Sequence, residues 1–348
     1  MGIVINNRKI GLTEEPYIIA ELSGNHNGSL QRALDTLSMA KNAGADAVKI
    51  QTYTADTITI DSSKEDFMVR GGLWDGYSLY DLYKWAHTPF EWHQKIFEHA
   101  RSIGITCFSS PFDETAVDLL EDLNAPAYKI ASFEAIDLPL IKYVAQTRKP
   151  IIISTGMANL EEIEEAVETA KDYGCNELVL LHCISSYPAP AEQSNLKTIS
   201  DLAKRFGVVS GLSDHTLGTS VAIAGVALGA SVIEKHVTLN RNDKGPDSEF
   251  SLEPDELKSL CLDSLTAWKA LGVVGYDRKP SEEGNMKFRR SIYFVKDIKA
   301  GDVITQEHVR RIRPGYGLPP KLEKDIIGMF AKKDIEAGTA SSWELIGE

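Results

Sequence analysis

The chain has 348 residues, 43% hydrophobic and 25% charged, the composition of an ordinary globular protein. Its 37 basic side chains against 50 acidic ones give a net charge of −13, which argues against a nucleic-acid or anionic-membrane surface. No run of ~18 apolar residues is present to span a bilayer. Met1 to Glu15 lacks a charged-then-apolar signal pattern, and Cys107, Cys175, Cys183 and Cys261 form no CxxC pair, so a reduced, cytoplasmic protein is expected.

From Tyr17 to Leu271, short apolar runs alternate with amphipathic stretches. The runs read as strands: Tyr17–Glu21, Ala47–Gln51, Ile105–Ser109, Ala127–Ala131, Ile151–Thr155, Leu178–Cys183, Val208–Ser213 and Val232–His236. Between them Leu30–Ala43, Leu160–Tyr173 and Ser220–Leu228 carry apolar residues at helical spacing. Eight such units over ~255 residues predict an α/β fold, a closed (β/α)8 TIM barrel filling residues 1–272. A doubly wound open sheet is the alternative, but its glycine-rich dinucleotide loop is missing, since Gly71-Gly72 follows no strand. The segment from Thr52 to Thr88, rich in Trp and Tyr, is too long for an ordinary connection and reads as a lid or as a packed excursion.

Residues 273–287 read as a linker. In 288–348 an imperfect repeat, Lys296-Asp297-Ile298-Lys299-Ala300-Gly301 and Lys333-Asp334-Ile335-Glu336-Ala337-Gly338, predicts a small pseudo-symmetric β-rich domain. Residues 273–348 hold 14 basic and 12 acidic side chains, which leaves the barrel at −15.

Active sites of such barrels lie at the C-terminal ends of the strands. There the sequence places Glu21, Lys49 with Gln51, Lys129 with Ser132 and Glu134 just beyond, Ser154, Ser185 with Tyr187, Ser213 with His215, and Glu234 with His236. Lys49 and Lys129 lie inside strands, where an unpaired ammonium is costly. They read as ion pairs with Glu21 and Glu234, as a phosphate and carboxylate cradle, or as a Schiff-base lysine; the surrounding hydroxyls favour the cradle. His215 and His236, on adjacent strand ends near two carboxylates, read as ligands of a divalent ion. Mn²⁺ comes first, with Mg²⁺ or Co²⁺ as alternatives to structural zinc. His182 and Cys183 read as core residues.

Ala20-Glu21-Leu22-Ser23-Gly24-Asn25-His26-Asn27-Gly28, Lys49-Ile50-Gln51-Thr52-Tyr53, Lys129-Ile130-Ala131-Ser132, Ser213-Asp214-His215-Thr216-Leu217-Gly218 and Glu234-Lys235-His236 together resemble the sialic acid synthase family. Arg290-Ser291 to Gly301 and Arg313-Pro314-Gly315 resemble that family's antifreeze-like (SAF) domain, a β-clip. Gln51-Thr52-Tyr53-Thr54, Gly72-Leu73-Trp74, Leu79-Tyr80-Asp81-Leu82-Tyr83 and Asp247-Ser248-Glu249-Phe250 are most similar to the branch that makes pseudaminic acid. Leu22 and Ser248 depart from the neuraminic and legionaminic branches, which are the alternatives.

The resemblance implies a transferase that condenses phosphoenolpyruvate with an open-chain 2,4-diacetamido-2,4,6-trideoxy sugar. It implies phosphoenolpyruvate on Lys49, Lys129, Ser132, Ser154, Ser185 and Ser213, and metal on His215 and His236. The sugar would meet Glu21, Gln51, Glu134, Tyr187 and Asp247, while Glu21 or Glu234 would position the attacking water. The resemblance also implies a domain-swapped homodimer in which Arg313 of one chain reaches the sugar bound by the other. Two rivals fare worse. A synthase for phosphorylated sugars needs a cation cluster that Arg148, Arg205 and Arg241 supply thinly, and a non-catalytic ice- or carbohydrate-binding protein needs flat Thr arrays that Val303-Ile304-Thr305 does not offer.

Overall fold

A computed structural model describes residues 2–348, in two compact units, Met1–Gly272 and Val273–Glu348. In the first, the eight apolar runs form a closed parallel barrel, with strand bounds within about two residues of the sequence reading. A hairpin of β1 (Gly2–Ile5) and β2 (Arg8–Gly11), which the sequence reading left unassigned, precedes it. Ile3, Ile5 and Ile10 of the hairpin pack with Tyr17, Ala47, Ala127 and Val232 at the strand beginnings, so the hairpin stoppers the N-terminal end of the barrel.

The order is then β3 (Tyr17–Glu21), α1 (Leu30–Ala43), β4 (Ala47–Thr52), α2 (Ala55–Ile58), α3 (Leu79–Ala86), α4 (Phe90–Ile103), β5 (Thr106–Pro111) and α5 (Glu114–Asp122). There follow β6 (Tyr128–Ile130), α6 (Leu138–Gln146), β7 (Ile151–Ser154), α7 (Leu160–Asp172), β8 (Leu178–Cys183), α8 (Thr198–Phe206), β9 (Val209–Asp214), α9 (Ser220–Ala227), β10 (Val232–His236) and α10 (Pro254–Leu271).

Local chemistry sets the helix ends. Ser29 accepts the Arg32 N–H at the start of α1, and Gly44, at φ +99°, closes it in the left-handed region that glycine enters freely. Asn159 and Glu162 form a capping box at α7. Leu37, Ile96, Ile141, Val167 and Leu202 fill the layer between helices and sheet with Ile50, Leu180 and Ile233 of the strands.

β10 pairs with β3, Val232 opposite Tyr17 and His236 opposite Glu21, and this closes the barrel. Side chains alternate in direction along each strand. Lys49 and Gln51 therefore share one face, as do Glu234 and His236. The long segment after β4 is no structureless loop. It carries α2, a turn at Glu65–Phe67, and α3, capped by Ser78.

In the second unit a 3₁₀ segment, Pro280–Phe288, occupies most of the stretch read as a linker. Beyond it β11 (Ser291–Phe294) pairs with β12 (Val309–Ile312), and β13 (Phe330–Ala331) with β14 (Ile346–Gly347). The two repeat copies face one another. Ile298 bridges Ile335; Asp297 accepts the Ala337 N–H at 2.8 Å, and Asp334 accepts the Ala300 N–H at 2.9 Å.

Candidate active site

A cavity of about 360 Å³ opens at the C-terminal ends of the barrel strands. Its floor is ionic. Lys49 Nζ lies 2.9 Å from Glu21 Oε2 and donates to Ser110 Oγ; Lys129 Nζ and Ser213 Oγ both donate to Glu234 Oε1 at 3.1 Å. Lys49 also stands 3.9 Å from Glu234 Oε2, so four buried charges form one neutral cluster. The ion-pair reading thus holds, yet both ammonium groups still line the cavity beside Ser132, Ser154 and Ser213, as the cradle reading requires. The Ser154 hydroxyl has no hydrogen-bond partner.

Burial raises the Glu21 carboxyl above the usual range despite Lys49 beside it. Burial would raise Glu234 as well, but Lys129 and Lys49 overcome it and hold Glu234 at about 2. Burial lowers the Lys129 ammonium, whereas Glu21 and Glu234 outweigh burial and raise that of Lys49.

Gly156 gives one wall its shape. A Cβ there would stand 2.2 Å from Ser185 Oγ and 2.7 Å from Ser132 Oγ, so only glycine lets both hydroxyls approach. Cys183, read as a core residue, is buried but also borders the site: its Sγ lies 3.4 Å from Ser132 Oγ and 3.7 Å from His215 Nδ1. His182, by contrast, is tied to the Ser194 carbonyl and stays structural.

The imidazoles of His215 and His236 meet with ring centroids 5.3 Å apart. His215 Nδ1 lies 3.0 Å from the Ile184 carbonyl, which assigns its proton there and leaves Nε2 with a free lone pair. His236 Nδ1 is buried without a hydrogen-bond partner, 3.7 Å from Asp247 Oδ2. Two adjacent imidazoles, each able to turn a ring nitrogen without a hydrogen-bond partner to the cavity, fit a divalent ion. Among the described residues no group of three or more His, Cys, Asp or Glu side chains gathers as a ligand set, so the remaining coordination positions would fall to water or substrate.

Beside the histidines, Gln51 Nε2 donates to Glu21 Oε1 at 2.8 Å and to Ser23 Oγ at 3.2 Å, and Ser23 donates to Asp247. Tyr187 packs on His215 at 4.5 Å between centroids and against Trp74 at 5.7 Å. Burial lifts the Glu134 carboxyl to about 7, and its Oε2 has no partner. The roof is apolar: Ile58, Val69, Trp74, Leu79, Leu82 and Tyr83 come from the excursion after β4, pinned by Trp74 Nε1 donating to the Pro246 carbonyl at 2.8 Å.

Of the expected site residues, Lys49, Gln51, Lys129, Ser132, Glu134, Ser154, Tyr187, Ser213, His215, Glu234, His236 and Asp247 line this one cavity. Glu21 and Ser185 stand just behind the lining, and Arg313 is exposed in the second unit. Sequence reasoning missed Gly156 and the roof residues Ile58 and Val69, none of which carries a polar signal, although Gly156 follows the Ser154-Thr155 strand end; Trp74, Leu79, Leu82 and Tyr83 lie in motifs that the resemblance picks out. Arg205 and Arg241, candidates for binding a sugar phosphate, are instead paired with Asp201 and with Glu253 and Glu256, and neither lines the cavity.

Residues 36–276 match the model of the NeuB family, and residues 289–346 match the SAF domain. The chain belongs to the NeuB family. A pseudaminic acid synthase of Campylobacter jejuni is 47% identical to this NeuB-family chain over 93% of it and 94% of the relative. One from Helicobacter pylori is 43% identical over 95% and 98%. The crystal structure of an N-acetylneuraminic acid synthetase from Leptospira borgpetersenii superposes with a TM-score of 0.73 at 31% identity, covering 83% of this chain and 96% of the other.

Proposed function

We propose that this NeuB-family enzyme condenses phosphoenolpyruvate with the open-chain form of 2,4-diacetamido-2,4,6-trideoxy-β-L-altropyranose to give pseudaminic acid and phosphate. The observation that carries this reading is one cavity with two opposed halves, a floor of paired lysines and hydroxyls beneath an apolar roof, with a histidine pair at its side. The floor suits a small trianion. The roof suits a sugar that carries three methyl groups and few hydroxyls. Identity to relatives named pseudaminic acid synthases supports the same branch.

His215 and His236 would hold a divalent metal, Mn²⁺ in this reading, which when bound supplies Lewis-acid polarisation of the sugar aldehyde. Lys49 and Lys129, with Ser132, Ser154, Ser185 and Ser213, hold the carboxylate and phosphate so that the vinyl carbon C3 faces the aldehyde. As the carbon–carbon bond forms, C2 gains positive character beside Glu21 and Glu234. One of these carboxylates takes a proton from the water that adds to C2 and passes it to the former aldehyde oxygen; the tetrahedral intermediate then expels phosphate by C–O cleavage, its remaining hydroxyl proton leaving with the phosphate as the C2 ketone forms. Gln51, Glu134, Tyr187 and Asp247 orient the sugar.

The same reading includes a cytoplasmic homodimer, with a barrel over 1–272, a linker over 273–287 and a SAF domain over 288–348. Arg313 of one chain would complete the site of the other. Exposed Phe133, Ile136, Met157 and Leu217 around the strand C-termini, and the opposite charges of the two chain segments, support such a cover.

The test incubates purified protein with phosphoenolpyruvate, Mn²⁺ and a panel of mono- and diacetamido sugars, with products identified by mass. The expected outcome is a strong preference for the altro-configured diacetamido sugar. Comparable kcat/KM for N-acetylmannosamine overturns the branch assignment.

A further inference from the structure

Between the layer of Ser213 and Glu234 and the layer of His215 and His236, strands β9 and β10 turn one residue each to the outside of the barrel. These are Asp214 and Lys235, direct cross-strand neighbours. Their ion pair measures 2.7 Å, with side chains only 2% and 1% exposed. Both also grip the backbone beyond them. Asp214 Oδ1 accepts the Thr216 N–H at 2.9 Å, and Lys235 Nζ donates to the Thr216 carbonyl at 2.6 Å. His215 therefore sits in a three-residue segment whose far end is fastened at both polar groups, while the next residue after Lys235 is His236.

Side-chain hydrogen bonds hold the rings themselves far less firmly: His215 has the Ile184 carbonyl and a long contact to Cys183, and His236 Nδ1 has no hydrogen-bond partner. Tyr187 and Phe250 pack against both rings, which limits their tilt and leaves the spacing of the two Cα atoms to the backbone. A buried ion pair is a weak source of net stability, because desolvation cancels most of its attraction. Fixing the register and spacing of two strand ends is a better account of why one stands here. We infer that Asp214 and Lys235 are positioning residues that set the spacing of the His215–His236 pair and so its affinity for metal. This rests on the two-histidine reading above.

The experiment measures Mn²⁺ affinity of the purified full chain by competition with a fluorescent chelator, a readout independent of turnover. Lys235→Met should raise the dissociation constant about 10–100-fold, the usual cost of disturbing groups that orient metal ligands. Asp214→Asn, which keeps an acceptor for Thr216 but drops the ion pair, should give a smaller rise of the same sign. The double variant Asp214→Leu with Lys235→Met restores apolar packing and thermal stability but not affinity. Phosphoenolpyruvate binding to the metal-free protein stays unchanged in all three. Any folded variant of the three that binds Mn²⁺ as tightly as the unaltered chain overturns the clamp. His236→Ala, run in parallel, separates the two claims: if it too binds Mn²⁺ normally, the histidine pair itself is misassigned.

Discussion

The two faces of the cavity are built by different means. The floor draws its lysines, carboxylates and hydroxyls from all eight barrel strands, β3 to β10, or the turns just past them. The four charged side chains there are each held by the closed sheet and by an oppositely charged neighbour. Most of the roof comes from one insertion after β4, and its side chains pack by shape rather than by directed bonds, with Trp74 Nε1 as a polar fastener. A site that must bind one invariant trianion gains from rigid, preorganised charge. A site that must tell related sugars apart can vary a single loop while the scaffold stays fixed. Floor variants should therefore damage turnover with every sugar, and roof variants should alter the choice among sugars.

The largest expected effects are on the floor. Chelation should abolish turnover, and added Mn²⁺ should restore it; full activity in excess EDTA removes the metal from the reading. Lys49→Met and Lys129→Met each delete a charge-assisted contact worth about 1.5–3 kcal/mol, so kcat/KM for phosphoenolpyruvate should fall roughly 10–150-fold. Each also strands a buried carboxylate, Glu21 or Glu234, so a fall in Tm should accompany the kinetic loss. If kcat/KM is unchanged, that lysine is only a structural ion pair. Gly156→Ala strikes the same face from the other side. Its methyl would displace the Ser132 and Ser185 hydroxyls, so KM for phosphoenolpyruvate should rise while KM for the sugar holds.

Roof substitutions should be milder and selective. Leu79→Asn or Trp74→Ala removes apolar contact worth about 1–2 kcal/mol, or roughly 5–30-fold in kcat/KM, for the trideoxy sugar. Phosphoenolpyruvate KM should move little, and the loss should be smaller for a sugar with a 6-hydroxyl. An equal loss for both sugars would make the roof a general lid.

How much of this was legible in the sequence follows the same division. Strand periodicity placed β3, β8 and β10 to the residue, and polar residues interrupting apolar runs marked Lys49, Lys129, Glu234 and both histidines. The roof was visible as a long aromatic segment and in the motifs around Trp74 and Leu79–Tyr83. Its other aliphatic members, Ile58 and Val69, carry no such mark, because nothing local records which surface an apolar side chain will face. The β1–β2 hairpin escaped for a related reason: four-residue strands give too short a period to detect. Gly156 carries no side chain to mark it, and its importance lies in two hydroxyls from other strand ends. Cys183 ends an apolar strand and was assigned to the core on that ground, although closing the barrel brings it against His215.

Glu134 lies where floor and roof meet, and it yields the smallest predicted effect. Its carboxyl titrates at about 7 when folded, against an ordinary 4.5, because burial disfavours the charged form. The folded chain thus binds this proton more tightly than the unfolded chain. The contribution is favourable and complete below about pH 4.5, and it is lost as pH rises through about 7. Glu134→Gln mimics the neutral form at every pH. It should match the unaltered protein in Tm near pH 4.5 and exceed it at pH 8 by on the order of 5 °C. Bound sugar should enlarge the gap if a neutral carboxyl donates to an acyl oxygen. Parallel melting curves for the two proteins across pH 5–8 would show that Glu134 is ionised in the folded site and belongs electrostatically to the floor.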